Sequence, residues 1–83
     1  MTPKAIENFE KERLSADESS SVFFDHPIDR LKYFITRCSG KILKSEFSVD
    51  GLASVQWEED GKRYHAWSTW PDRDYKIDWK PMA

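Results

Sequence analysis

The side chains of this sequence that are suited to nucleophilic or metal chemistry are one cysteine, Cys38, and two histidines, His26 and His65. A thiol beside an imidazole can act as a nucleophile, and cysteine together with histidine can bind zinc. These three residues fall in different predicted elements and lack the spacing of a catalytic or metal-binding motif. We therefore predict no catalytic residue, no metal site and no cofactor, and we expect the protein not to be an enzyme.

Cys38 also fits a structural role. It follows Ile28, Leu31 and Ile35 at spacings that place all four residues on one face of a helix. Because free cysteine is among the most buried residue types, this pattern predicts a thiol in the core. A thiol-dependent sensor or a small enzyme that uses Cys38 remains a third hypothesis for the function.

One face of a predicted β-sheet carries the residues best suited to contact another molecule. If Trp57 and Tyr64 face the core, alternation along the strand turns Trp67 to the opposite face. A large aromatic residue on an otherwise polar face indicates an interaction site, because tryptophan and arginine are enriched at interface hot spots. The predicted partner-binding residues are Trp67, His65, Arg63, Gln56 and Thr69.

Two alternatives for Trp67 stay open at this point. The C-terminal segment could fold back so that Trp79 or Tyr75 covers it, which would make Trp67 structural. Aromatic residues on a sheet can also stack nucleic-acid bases, so a single-stranded nucleic-acid-binding domain is the alternative function. The acidic run 58–60 beside this face has the wrong charge for contacts with phosphate.

Two Asp-Gly pairs define the strands that hold this face. Asp-Gly between alternating apolar and polar residues is a strong hairpin signal, because tight turns need residues that tolerate positive φ. At Asp60-Gly61 a two-residue loop pairs Trp57 with Tyr64 and leaves both apolar sets on one face. After the third strand, Trp70-Pro71 predicts a break and residues 72–74 a turn. Residues 75–79 then alternate as a short fourth strand that Pro81 ends.

The first Asp-Gly pair needs a longer loop. A two-residue loop at Asp50-Gly51 would place the apolar residues of the two strands on opposite faces. We therefore predict a three-residue loop over 50–52, which pairs Val49 with Ala53 and Phe47 with Val55. In the first strand Leu43 joins Phe47 and Val49 on the predicted core face.

Two helices precede the strands. Thr2-Pro3 predicts the first helix start, with Thr2 as the cap and Pro3 at the first helical position. Its apolar stripe is thin, which predicts a helix docked on the surface: Ile6, Phe9 and Leu14. A polar stretch over 15–21 is expected to be a linker. The second helix starts at Asp25-His26-Pro27 and ends at Ser39-Gly40, with Gly40 in the left-handed position after the cap.

These elements predict an α+β fold with two N-terminal helices packed on one face of a three- to four-stranded antiparallel β-meander. We expect residues 1–83 to form a single domain, with 1–21 as a first helix and polar linker that can move and 22–83 as the compact core. The predicted core sets the second helix against the sheet and consists of Ile28, Leu31, Phe34, Ile35, Cys38, Phe47, Val49, Val55, Trp57, Tyr64, Ala66 and Trp70.

Composition limits the classes of function. The chain carries 13 Lys and Arg against 15 Asp and Glu, without the basic excess usual in nucleic-acid-binding proteins. A single cysteine excludes an intramolecular disulfide. No apolar run approaches the roughly 18–20 residues that span a bilayer, and residues 1–4 lack the apolar region of a signal peptide. We therefore expect a cytoplasmic protein that does not bind membranes.

These observations together predict a small protein-binding module. We expect an adaptor, regulator or inhibitor of a larger cytoplasmic protein, of the kind that phages and other mobile elements encode. Its partner would be another protein, with nucleic acid disfavoured. The sequence leaves the identity of the partner and the oligomeric state open.

Overall fold

Two helices precede four strands along the chain. In the computed structural model, which describes residues 2–17, 24–69 and 75–82, the strands form one antiparallel sheet in the order β1-β2-β3-β4 and the helices pack on it. This arrangement confirms the predicted α+β class. The elements are α1 (Lys4–Ser15), α2 (Pro27–Arg37), β1 (Lys41–Phe47), β2 (Leu52–Glu59), β3 (Lys62–Thr69) and β4 (Asp78–Pro81).

The hairpin between β2 and β3 has the predicted register. Asp60 and Gly61 both have positive φ, at 53° and 75°, as a two-residue type I′ turn requires. Trp57 therefore lies opposite Tyr64, and their ring centroids are 5.5 Å apart. Both rings are buried, so this cross-strand pair forms the centre of the sheet's core face.

The hairpin between β1 and β2 differs from the prediction by one residue. Its three-residue loop is 49–51 rather than 50–52: Ser48 donates its N–H to the Leu52 carbonyl at 2.8 Å and accepts from the Gly51 N–H at 3.1 Å. Gly51 has a φ of 86°. The third loop position requires this left-handed conformation, and glycine adopts it without steric cost. Because Gly51 occupies the third loop position, the loop consists of residues 49–51.

This shift removes two predicted residues from the core. Phe47 lies opposite Ala53 rather than Val55 and is 68% exposed, and Val49 is fully exposed in the loop. Leu43 falls in a β-bulge where the register with β2 shifts, and it is also exposed. Ile42 is the residue of β1 that packs against the core.

The N-terminus of α2 is bound to the first hairpin through His26. Its Nδ1 accepts the Ile28 N–H at 3.1 Å, as an N-cap residue does. The proton of the neutral ring is therefore on Nε2, which lies 2.8 Å from the Gly51 carbonyl and donates to it. One side chain thus caps the helix and fixes the helix start to the loop between β1 and β2.

The C-terminus of α2 corrects two predictions. Ser39, not Gly40, is the left-handed residue, with a φ of 61°, and Gly40 donates its N–H to the Ile35 carbonyl. Glycine is needed at position 40 because a Cβ there would lie 2.9 Å from both the Ile35 Cγ2 and the Ile35 carbonyl oxygen. Cys38 is the C-cap and is only half-buried, since the helix ends at Arg37, one residue before it. The Cys38 sulfur accepts a hydrogen bond from Asn8 Nδ2 at 3.2 Å.

The N-terminus of α1 is capped from the sheet. Pro3 occupies the N-cap position and makes no side-chain cap, so the predicted Thr2 cap is wrong. The carboxylate of Glu59, at the end of β2, instead accepts the N–H groups of Lys4 at 2.7 Å and Ala5 at 3.3 Å. Glu59 is buried, and these free helix N–H groups compensate for its lost hydration.

The side chains of α1 pack more fully than its thin stripe suggested. Ile6 and Phe9 are buried, and Phe9 stacks on Tyr75 with centroids 5.8 Å apart. Leu14, predicted to share the stripe, is 74% exposed, whereas Ala16 packs against the core. Burial raises the pKa of Tyr75, whose hydroxyl donates to the Asp25 carbonyl at 2.6 Å.

The buried core draws on both helices, on the strands β2 and β3, and on Tyr75 before β4. Its members are Ala5, Ile6, Phe9, Ile28, Leu31, Ile35, Ala53, Val55, Trp57, Tyr64, Ala66 and Tyr75, with Phe34, Ile42, Ile77 and Trp79 packed against it. A fourth strand is present as predicted, but it spans Asp78–Pro81 rather than 75–79, and Pro81 is its last residue. The predicted core position of Trp70, the turn over 72–74 and part of the linker lie outside the described residues.

We expect substitutions of Gly61 to report on the type I′ turn. A Cβ at this position would contact nothing within 4 Å, so any cost comes from the backbone alone. Gly61→Val should lower the free energy of unfolding by more than about 1 kcal/mol relative to Gly61→Asn, which tolerates the left-handed region. Urea denaturation of the two variants measures the difference, and equal stabilities would contradict the turn geometry.

We also expect the cap that Glu59 provides to be worth a measurable share of the stability. Glu59→Ala should lower the free energy of unfolding by about 1–3 kcal/mol, since it leaves two backbone donors without an acceptor. The matched control is Glu58→Ala, the neighbour on the opposite sheet face, which should change stability by under about 0.5 kcal/mol. Equal losses in urea unfolding would show that the carboxylate does not act as the cap.

Candidate functional site

The sheet face turned away from the core is polar apart from one large aromatic side chain at its centre and one leucine at its end. We call this surface the outer face. Its membership follows from strand pairing, because residues directly opposite each other share a face. The outer face consists of Lys41, Lys44, Glu46, Leu52, Ser54, Gln56, Glu58, Arg63, His65, Trp67, Thr69, Asp78 and Lys80.

Trp67 and His65 form the centre of the outer face. They lie two residues apart on β3, so both point to the same side, and their ring centroids are 5.1 Å apart at an angle of 43°. Both side chains are half-buried. The pair presents a continuous aromatic surface to solvent, with ring edges that can donate or accept hydrogen bonds.

The strands on each side of β3 surround this pair with polar groups. Trp67 lies between Ser54 of β2 and Asp78 of β4. His65 lies between Gln56 and Lys80 in the same way. Lys80 and Asp78 were not among the predicted site residues, although the apolar Trp79 between them already indicated that both would share the other face.

The five predicted partner-binding residues all lie on the outer face but do not form one cluster. Trp67, His65 and Gln56 are neighbours at its centre. Arg63 lies opposite Glu58 at one end of β3, about 13 Å along the strand from Trp67 at roughly 3.4 Å per residue. Thr69 lies at the other end, opposite Leu52. Arg63 and Thr69 are therefore peripheral to the aromatic pair.

The C-terminal residues considered as a cover for Trp67 lie on the other side of the sheet. Trp79 pairs with Ala66 and packs against the core, with its ring centroid 6.2 Å from that of Tyr64. Tyr75 stacks on α1. These two rings therefore do not cover Trp67.

The charges near the aromatic pair also differ from the expectation. Of the acidic run 58–60, Glu59 faces α1 and caps it, and Asp60 lies in the turn. Glu58 alone remains on the outer face, opposite Arg63. The nearest cation to His65 across the strands is Lys80, so the acidic surroundings predicted for this surface are present only in part.

A shallow depression extends the outer face towards the first hairpin. Its volume is about 370 Å³, and it is lined by Glu46, Phe47, Ser48, Leu52 and Ser54. Its exposed apolar side chains are those of Phe47, at the end of β1, and Leu52, at the start of β2. Within the described residues, no group of three or more His, Cys, Asp or Glu side chains is arranged to hold a metal ion.

Comparison with known proteins found no match to any protein family, curated protein or solved structure. Among the described residues, no helix combines the length and the apolar character needed to cross a membrane. The candidate site therefore stands on the geometry of this chain alone.

We expect Trp67 and Trp57 to contribute very differently to folding. Trp67→Ala should lower the free energy of unfolding by under about 1.5 kcal/mol, because the indole is partly solvated in the native state. Trp57→Ala should cost about 3–5 kcal/mol, since it removes a fully buried ring. Urea denaturation compares the two variants, and similar losses would place Trp67 in the core.

Proposed function

We propose that this protein is a small, non-enzymatic protein-binding module that acts as an adaptor, regulator or inhibitor of a larger cytoplasmic protein. The observation that carries the proposal is the half-exposed Trp67–His65 pair at the centre of the outer face, with polar residues on both sides of it. A residue of this kind contributes most to the binding free energy when its ring is already held in position and the partner removes the remaining water around it.

The surroundings of the pair favour a protein partner. The outer face has cations and anions at its periphery, including Arg63, Lys80 and Asp78, and a polar rim of mixed charge around an aromatic centre is typical of protein interfaces. The aromatic pair supplies the area that is desolvated, and the rim selects the partner by charge complementarity.

The positions of the nucleophilic and basic side chains support a non-enzymatic role. Cys38 lies at the C-terminus of α2, on the side of the sheet that the helices cover, and His65 lies on the outer face. His26 uses both ring nitrogens to hold the start of α2. Within the described chain these three residues thus belong to separate sites, and two of them have structural partners.

A single-stranded nucleic acid is the second candidate partner for the same face. The observation that favours it is the contact between two adjacent rings with Lys80 beside them, because bases stack on such aromatic pairs and cations contact the phosphates. The even overall charge favours a protein partner instead.

We expect a partner captured from the native lysate to depend on Trp67. Trp67→Ala should weaken its binding by at least about 2 kcal/mol, or roughly thirtyfold, the range of interface hot spots. The control variant is Phe24→Ala, which removes a 75% exposed ring outside the outer face and should leave capture unchanged. Capture that survives Trp67→Ala, in a variant of normal stability, would place the interface elsewhere.

Titration with a single-stranded oligonucleotide separates the two candidates. A nucleic-acid-binding face should bind with an affinity that falls steeply as salt rises, because phosphate contacts release counterions. The proposal for a protein partner predicts no such binding at physiological salt. A steep salt dependence that Trp67→Ala abolishes would favour the nucleic-acid function.

A further inference from the structure

The sheet has one long open edge. The strand order places β1 and β4 at the edges, and β4 is a four-residue strand whose last residue is proline. β1 has seven residues, and all its side chains except that of Ile42 are exposed. No described strand pairs with its free side.

On this free side, the backbone of β1 has groups with no strand partner among the described residues. Ser48 bonds to Leu52, so the N–H and C=O of residue 48 point towards β2. Because this direction alternates along a strand, residues 46 and 44 also point towards β2, whereas Ser45 and Phe47 turn their backbone groups outwards. These groups can form a ladder with an added strand.

The sequence of this edge is complementary to itself. When Leu43–Phe47 is paired antiparallel with a second copy about Ser45, each Lys44 lies opposite a Glu46 and each Leu43 lies opposite a Phe47. A pairing centred on Lys44 would instead place two lysines opposite each other, and one centred on Glu46 would oppose two glutamates. Only the register centred on Ser45 matches charge with opposite charge and apolar with apolar.

The structure already presents these charges for such a pairing. Lys44 and Glu46 both lie on the outer face, and the Lys44 Nζ is 2.9 Å from the Glu46 Oε1 within one chain. A second copy would add an opposite charge beside each of them, to give four alternating charges across the symmetry axis. The same pairing would cover part of the Phe47 ring, which is 68% exposed.

From this edge we propose that the protein forms a symmetric dimer in which β1 pairs antiparallel with β1 of a second copy, centred on Ser45. A two-fold axis perpendicular to the sheet keeps each outer face on the same side. The dimer therefore has one eight-stranded sheet, two sets of helices on one side and two Trp67–His65 pairs on the other. Such a dimer presents the candidate site twice on one surface. The dimer would therefore bind with higher avidity to a partner that carries two or more copies of the recognised surface.

Sedimentation equilibrium with charge-reversed variants tests the register. The wild type, kept reduced because of Cys38, should self-associate with a dissociation constant below about 1 mM. Lys44→Glu alone and Glu46→Lys alone should each weaken association at least about tenfold, because each places like charges opposite each other. Charge reversals of exposed residues on α1, Lys11→Glu and Glu7→Lys, are the controls and should leave association unchanged.

An equimolar mixture of the two single variants provides the sharpest result. In the mixture, two acidic residues of one chain lie opposite two lysines of the other, so a heterodimer of wild-type affinity should form. The double variant Lys44→Glu/Glu46→Lys should likewise regain self-association. A wild type that stays monomeric up to about 1 mM, or a mixture that fails to associate, would overturn the proposal.

Discussion

The register between β2 and β3 decides the side of the sheet on which every aromatic residue of these strands lies. Side chains alternate with a period of two, so a slip of one residue between the two strands would place Trp57 and Trp67 on the same face of the sheet. The type I′ turn at Asp60-Gly61 prevents that slip, because both residues accept positive φ. The core and the candidate binding surface are therefore two consequences of one turn.

Both helix starts are bound to the sheet by side chains. Glu59 at the end of β2 caps α1, and His26 caps α2 while it donates to the loop between β1 and β2. The Tyr75 hydroxyl adds a bond to the Asp25 carbonyl just before α2. The helices of such a small protein have little core to hold them, and these polar contacts supply orientation that apolar packing alone does not.

Local signals predicted the fold class and the second hairpin correctly. Asp60-Gly61 has one favourable loop length, and alternation around it leaves one apolar face, so the sequence specified Trp57 opposite Tyr64. The first hairpin was predicted less well, because Asp50-Gly51 can occupy two positions in a three-residue loop, and alternation favoured the wrong one. Here the glycine geometry outweighed the burial of Phe47 and Val49, which are left exposed.

Long-range contacts account for the remaining differences. The cap that Glu59 provides joins residues more than 50 positions apart, so no local pattern could reveal it. The prediction of a buried Cys38 assumed that the helix continues, but the chain leaves the helix at Ser39 with a left-handed residue. For the candidate site, the face of Trp67 and His65 followed from alternation, whereas the position of Lys80 opposite His65 required the register of β4.

Nuclear Overhauser effects from the two indole rings test the central claim, that the turn at 60–61 places Trp57 and Trp67 on opposite faces of the sheet. We expect contacts from the Trp67 indole to the His65 ring. We also expect contacts from the Trp57 indole to the Tyr64 ring and to the buried methyl groups of the core. Contacts from Trp67 to the core methyl groups of Leu31 or Ile35 would contradict this arrangement, because they would require Trp67 to lie on the core face of the sheet.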